Sequence, residues 1–223
     1  MSRMMIISAA VAVIGLGAYF VTGGGSSTPT TPVDPLGAAN AQEAADVDTS
    51  SIQDMMVGNP DAPVTVIEYA SFTCPHCASF HAGSFKKLKA DYIDTGKINF
   101  IYREVYFDRY GLWASMIARC AGPDKFFGMA DLIYTGQSQW TRAGEPAAII
   151  EELRKIGLLA GLDKDTLEAC LQDADKARTL VAWYQKNAAA DGVESTPSFV
   201  INGKKYSNMA YDEMSELIDA AAK

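Results

Sequence analysis

Cys74-Pro75-His76-Cys77 follows directly on an apolar run, Val64 to Tyr69, and heads a segment with helical character. Two cysteines delivered by a strand to a helix N-terminus require a strand–turn–helix corner. There the first thiol lies among unpaired backbone N–H groups at the positive end of the helix macrodipole, which favours a thiolate. Cys74 is then the exposed nucleophile, and Cys77, one turn on and on the inward side, is placed to attack a mixed disulfide at Cys74. His76 adds a donor beside the thiolate. Zinc is the rival reading, but it needs further ligands. The other cysteine and histidine candidates are Cys120, Cys170 and His81, and none forms a second Cys-x-x-Cys. The position after a strand inside a βαβ pattern favours redox chemistry, with no metal and no cofactor beyond the Cys74–Cys77 pair.

The first residues bear on where that chemistry runs. Met1 to Met5 carries one charge, Arg3, and Ile6 to Val21 carries none across sixteen residues, as in a signal-peptide core or a short membrane anchor. Residues 1–22 are therefore read as an export segment. The lone Arg before the apolar run and the acidic residues after it favour a body outside the cytoplasm, periplasmic or extracytoplasmic. A buried helix is the other reading, and the linker that follows speaks against it. Thr22 to Ser26 offers small side chains but no clean Ala-x-Ala site, and Ala39-Asn40-Ala41 lies far from the core, so cleaved and anchored forms both stay open.

Residues 23–50, rich in Gly, Ser, Thr, Pro, Ala and Asp, bury too little apolar surface to offset ordering entropy and read as a disordered linker. From Ser51 about 170 residues remain, enough for a substantial core and an inserted subdomain. A net charge of −8 and a pI near 4.8 argue against nucleic-acid binding.

Val64 to Tyr69 reads as a strand covered on both faces, Pro75 to about Ala90 as a helix, and Lys97 to Phe107 as a second, parallel strand. The period then changes. Trp113, Met116, Ile117 and Cys120 fall at helical spacing, Gly122-Pro123-Asp124 breaks the chain, and Phe126 to Tyr134 forms another helix. Pro146 opens a third, Asp163 caps a fourth, and a longer helix with Ala177, Leu180, Val181 and Tyr184 in register stops at Gly192. Ser198 to Tyr206 is a hairpin, because Asn202-Gly203 favours a type I′ turn, and a last helix carries Tyr211, Met214, Leu217, Ile218 and Ala221 on one face. Periodicity alone supports a mixed α/β domain. The order βαβ, helices, ββα describes a thioredoxin-like fold with an inserted all-helical subdomain: residues 51–107 and 175–223 form the thioredoxin-like part and 108–174 the insertion.

Cys74-Pro75-His76-Cys77, the preceding Val66-Ile67-Glu68-Tyr69-Ala70-Ser71-Phe72, the lead-in Gly58-Asn59-Pro60-Asp61-Ala62-Pro63 and Thr196-Pro197 before the hairpin together resemble the DsbA family of exported thiol–disulfide oxidoreductases. The resemblance covers roughly Ser51 to Lys223. It implies Cys74 as nucleophile, Cys77 as resolving thiol and Pro197 as a cis-proline facing the disulfide, where the sequence by itself favours a trans-proline at a strand start. Glu68, an ionisable residue in a buried strand, is either an ordinary strand-edge carboxylate or, as the resemblance implies, the acid that relays a proton to and from Cys77. His81 reads as structural, and Trp113, Trp140 and Trp183 as core or domain-interface residues. An even cysteine count in an exported chain points to a structural disulfide between Cys120 and Cys170, against two reduced core cysteines; some relatives carry an extra bridge in this region. Such a bridge contributes about 4 kcal/mol in the chain-entropy model.

The leading functional reading is an enzyme that introduces disulfides into newly exported proteins. By resemblance, a quinone-linked DsbB-type membrane partner reoxidises it. The protein is expected as a monomer acting on exported cysteine-containing polypeptides. Thr196 keeps an isomerase or reductase open, because the best-known oxidases of the family carry valine there. Thr196 and Pro197 are the substrate-binding candidates, and a non-catalytic peptide-binding or chaperone module using the hydrophobic surface around Pro197 is a third reading.

Overall fold

Residues 47–223 are described by the computed structural model. The segment expected to direct export, residues 1–22, and the expected linker up to residue 46 lie outside the described residues. Among the described residues no helix is long and apolar enough to cross a membrane.

The sheet has five strands in the order β1-β3-β2-β4-β5. Its first strand, β1 (Met55–Gly58), runs antiparallel to β3 (Ile98–Glu104) at one edge and has no counterpart in the sequence reading. Four residues without clear alternation carry little local signal; pairing with β3 makes them a strand. The apolar run forms β2 (Val64–Ala70), parallel to β3 with Val66 opposite Phe100 and Glu68 opposite Tyr102. β4 (Ser198–Ile201) pairs antiparallel with β2, Tyr69 opposite Ser198, and β5 (Lys204–Ser207) closes the other edge. Asn202 and Gly203, at φ 44° and 83°, make the turn their sequence demands. This register has a consequence for the site: the end of β2, which leads to Cys74, lies beside the start of β4, which follows Pro197.

Gly58 ends β1 at φ +106°, and a Cβ there would stand 2.5 Å from the Ile98 carbonyl oxygen. Gly58→Ala should therefore destabilise the protein by about 1–3 kcal/mol. A fall in the urea midpoint at unchanged slope is the readout; an unchanged midpoint would show that the edge strand adapts.

Helix α1 (Pro75–Ala82) begins with Cys74 as N-cap and Pro75 in its first turn. The expected run to about Ala90 is interrupted. Gly83 takes φ −123° and ψ −83°, and the chain resumes as α2 (Ser84–Leu88) and a π-helical turn, Lys89–Ile93. A Gly-Ser pair is a common kink site, since glycine leaves the helical basin at low cost.

Between β3 and the long α8 (Ala174–Ala190) stand five helices: α3 (Arg109–Cys120), α4 (Pro123–Thr135), α5 (Gln137–Trp140), α6 (Pro146–Leu159) and α7 (Lys164–Gln172). Asp108 caps α3 by accepting from the Tyr110 and Gly111 N–H groups, and Asp163 caps α7 through Thr166 N–H. Pro146 starts α6. The chain leaves α8 through Gly192 at φ +63°, with Val193 N–H donating to the Ala188 carbonyl at 2.8 Å. Only α5, a single turn, escapes the periodic pattern. Cys120 at the end of α3 is joined to Cys170 in α7, with Cα atoms 6.0 Å apart. The terminal α9 (Tyr211–Ala221) buries Met214 and Ile218. Trp113, Trp140 and Trp183 are all buried.

Candidate active site

Cys74 sits where β2 has ended and α1 begins, and its sulfur accepts the Cys77 N–H at 3.4 Å. The corner is held from the helical side. Thr73 Oγ1 donates to Asp108 Oδ2 at 2.8 Å, Tyr134 Oη donates to the Ser71 carbonyl at 3.2 Å, and the buried Gln137 Nε2 donates to both the Phe72 and Cys74 carbonyls at 2.8 and 2.9 Å. A side chain at Gly111 would approach Ser71 Oγ to 3.2 Å, so glycine allows α3 to lie close to this loop. Asp108, Tyr134 and Gln137 are site-supporting residues that sequence reasoning missed. Their partners lie 35 to 65 residues away, and no local pattern marks a residue whose role is to satisfy distant carbonyls.

From the other side comes the loop before β4. The Thr196–Pro197 peptide is cis, and the Cys74 sulfur lies 3.5 Å from the Thr196 carbonyl oxygen. Thr196 is half-buried and Pro197 buried.

The two thiols are electrostatically opposed. Hydrogen bonding from the Cys77 side chain is the largest influence on Cys74; burial opposes it, and Thr196 and the N–H groups of Cys77 and His76 reinforce it. The Cys74 pKa is lowered to about 5. Burial pushes the Cys77 thiol far up, reinforced by its bond to Cys74 and by the charge of Glu68. Cys74 retains a little exposure and Cys77 none, at 8% and 0%. A thiol that favours its ionised form and keeps a little exposure therefore stands one turn from a thiol that favours its protonated form and is enclosed. His76 is exposed, and the donor it brings to Cys74 is its backbone N–H.

Glu68 is fully buried. His81 Nε2 lies 2.8 Å from its Oε2, so the histidine read as structural faces the same buried acid. Among the described residues no cluster of three or more metal-binding side chains occurs.

The sequence profile of the thioredoxin family matches residues 50–220. A putative protein-disulfide oxidoreductase of Rickettsia bellii is 36% identical over 169 residues, covering 75% of this chain and 64% of the relative. Disulfide bond formation protein D of Bacillus subtilis is 28% identical over 181 residues, covering 75% of this chain and 77% of that protein. The crystal structure of alpha-DsbA1 from Wolbachia pipientis superposes with a TM-score of 0.71 at 28% identity, covering 76% of this chain and 91% of that one. The chain spans about three-fifths of the length of the Rickettsia relatives it matches. The matched segment contains the whole strand–cysteine–helix corner and the cis-proline loop, and on that basis the chain belongs to the thioredoxin family, with DsbA-type protein-disulfide oxidoreductases as its relatives.

Proposed function

We propose that this protein is an exported thiol–disulfide oxidoreductase that introduces disulfides into newly exported polypeptides through Cys74–Cys77. The observation that carries the reading is the opposition of the two thiols, Cys74 lowered to about 5 and Cys77 raised, at a helix N-terminus beside a cis-proline loop. In the oxidised enzyme a substrate thiolate attacks Cys74 Sγ. The Cys74–Cys77 bond breaks, its electron pair goes to Cys77, and Cys77 takes up a proton. A second substrate thiolate attacks the substrate sulfur of the mixed disulfide and expels Cys74 as a thiolate. Two substrate thiols become one disulfide, and the enzyme disulfide becomes a dithiol.

A low-pKa Cys74 is a good leaving group and stabilises the reduced enzyme, which makes the oxidised enzyme a strong oxidant. Glu68 is the proton acceptor and donor for Cys77 in this scheme. Reoxidation falls to a quinone-linked membrane oxidase of the DsbB type, and Ile6–Val21 directs the body out of the cytoplasm. Thr196 and Pro197 line the place where substrate backbone meets the sulfur, and the Cys120–Cys170 bridge has a structural role.

Thr196 favours a second reading, isomerase or reductase, for the reason given from its sequence. Equilibration of the Cys74–Cys77 pair against glutathione separates the two. A couple more oxidising than the glutathione pool, together with oxidation of a reduced, unfolded substrate protein, supports the oxidase. A couple as reducing as thioredoxin's, with reduction of substrate disulfides, replaces it.

A further inference from the structure

His81 follows Cys77 by four residues on α1, so both side chains leave the helix on its inward face. Both are buried, and across from them on the central strand is the fully buried Glu68. The two Glu68 oxygens are not equivalent. Oε2 is bonded to His81 Nε2 at 2.8 Å, whereas Oε1 is buried with no hydrogen-bond partner. A buried acceptor left open is uncommon because it forfeits its hydration. Here the acid's charge bears on the Cys77 thiol, the one group in the site that must gain and lose a proton during turnover.

The imidazole is fixed as firmly as its partner. It stacks on Tyr134 with ring centroids 4.4 Å apart and 23° between planes, packs tilted on Phe85 at 4.7 Å, and meets Phe80 and Tyr102 edge-on at 5.6 and 5.7 Å. The titratable groups that bear on Glu68 and Cys77 are His81 from α1, Tyr102 from β3 and Tyr134 from α4, together with Cys74, which is hydrogen-bonded to Cys77. Burial raises both phenols well above their ordinary value, so they stay protonated and do not exchange with Cys77.

We propose that His81 is a positioning residue for proton exchange at Cys77: by holding Oε2 it turns the Glu68 carboxylate so that Oε1 is the oxygen that receives and returns the Cys77 proton. The inference rests on the proposed oxidoreductase function and specifies how its proton is handled. When a mixed disulfide at Cys74 is resolved, the Cys77 S–H bond breaks and the proton passes to Oε1. The Cys77 sulfur attacks Cys74 Sγ, the bond from Cys74 to the partner sulfur breaks, and the partner departs as a thiolate with the electron pair. His81 donates its Nε2–H to Oε2 throughout and undergoes no net change.

The test uses the full chain, reduced, and an aryl disulfide, 5,5′-dithiobis(2-nitrobenzoate). The first thionitrobenzoate released reports attack by Cys74; the second reports resolution by Cys77. His81→Phe keeps an aromatic ring in the cluster and removes the donor. It should leave the first release at its wild-type rate and slow the second by on the order of 10- to 100-fold, with a displaced pH profile. His81→Gln, whose amide can donate to Oε2, should restore the second release. In a Glu68→Gln background His81→Phe should add nothing further, because its effect runs through the carboxylate. An unchanged rate and pH profile in His81→Phe overturns the proposal, as does an equal slowing with or without Glu68. Should that variant not fold, imidazole nitrogen resonances of the wild-type protein decide: a proton on Nε2 in both redox states supports the donor role, and its absence refutes it. A wild-type chain that releases no thionitrobenzoate through Cys74 would instead sink the oxidoreductase reading.

Discussion

Replacing Cys77 with Ala should turn the protein into a trap: under the proposed function, mixed disulfides with cysteine-containing exported polypeptides accumulate on Cys74, because the thiol proposed to resolve them is gone. Cys74 remains at the helix N-terminus with its backbone donors and the cis-proline loop intact, so attack and exchange at its sulfur continue. Cys74→Ser is the matching control. It should drop thiol–disulfide exchange to the uncatalysed background and abolish every adduct, since Cys77 is fully enclosed and its thiol is held protonated. Non-reducing electrophoresis of acid-quenched cells followed by reductant provides the readout. Adducts that persist in Cys74→Ser would reverse the assignment of the two sulfurs, and a Cys77→Ala protein that is folded and exported yet free of adducts would favour the peptide-binding reading.

The second large effect lies in pH dependence. Lowering the Cys74 pKa from the ordinary 9.0 to about 5 raises its thiolate fraction but lowers the nucleophilicity of that thiolate, with a Brønsted slope of about 0.4–0.5. Near pH 7 the gain and the loss almost cancel. Near pH 5 an ordinary thiol is almost wholly protonated while Cys74 is about half ionised, and the net advantage is on the order of 100-fold. Alkylation by iodoacetamide should therefore rise through a midpoint near pH 5 and then stay flat, with Cys77 unlabelled. Two equally reactive thiols with midpoints near 9 would contradict the electrostatics of the corner.

The same shift links redox state to stability. A folded-state pKa below the unfolded one stabilises the reduced fold fully above about pH 9, progressively less as pH falls from 9 to 5, and not at all below both values. Cys77, shifted upward, does not titrate differentially below pH 9. The reduced protein's stability relative to the oxidised one should thus decline on acidification between about pH 9 and 5, as measured by paired urea denaturations. A difference independent of pH would mean that the thiolate does not set the redox balance.

Much of the site was legible because its chemistry is local. Two cysteines three apart after an apolar run carry their own helix start, and the N-terminal N–H groups that stabilise Cys74 belong to the same short segment. Turns and caps were equally readable: Asn202-Gly203 makes a tight turn, Pro146 opens α6, Asp163 caps α7 and Gly192 follows α8, each through a backbone preference of the residue itself. His76 shows the limit of that reading. Its position was informative through its peptide N–H, and the residue itself is exposed.

What the sequence determined by itself is the strand–helix corner that carries the two cysteines, the α/β class and the order of the elements it named, since these follow from spacing, periodicity and intrinsic backbone preference within a few residues. The tertiary structure alone decided the rest. β1 is a strand because β3 offers it an edge. Gln137 bonds carbonyls more than sixty residues upstream, and His81 meets Glu68 across the interface of a helix and the central strand. Each depends on long-range placement within an angstrom or so. Hydrogen bonds and buried charges are sensitive to such distances, and the periodicity of a chain does not encode them.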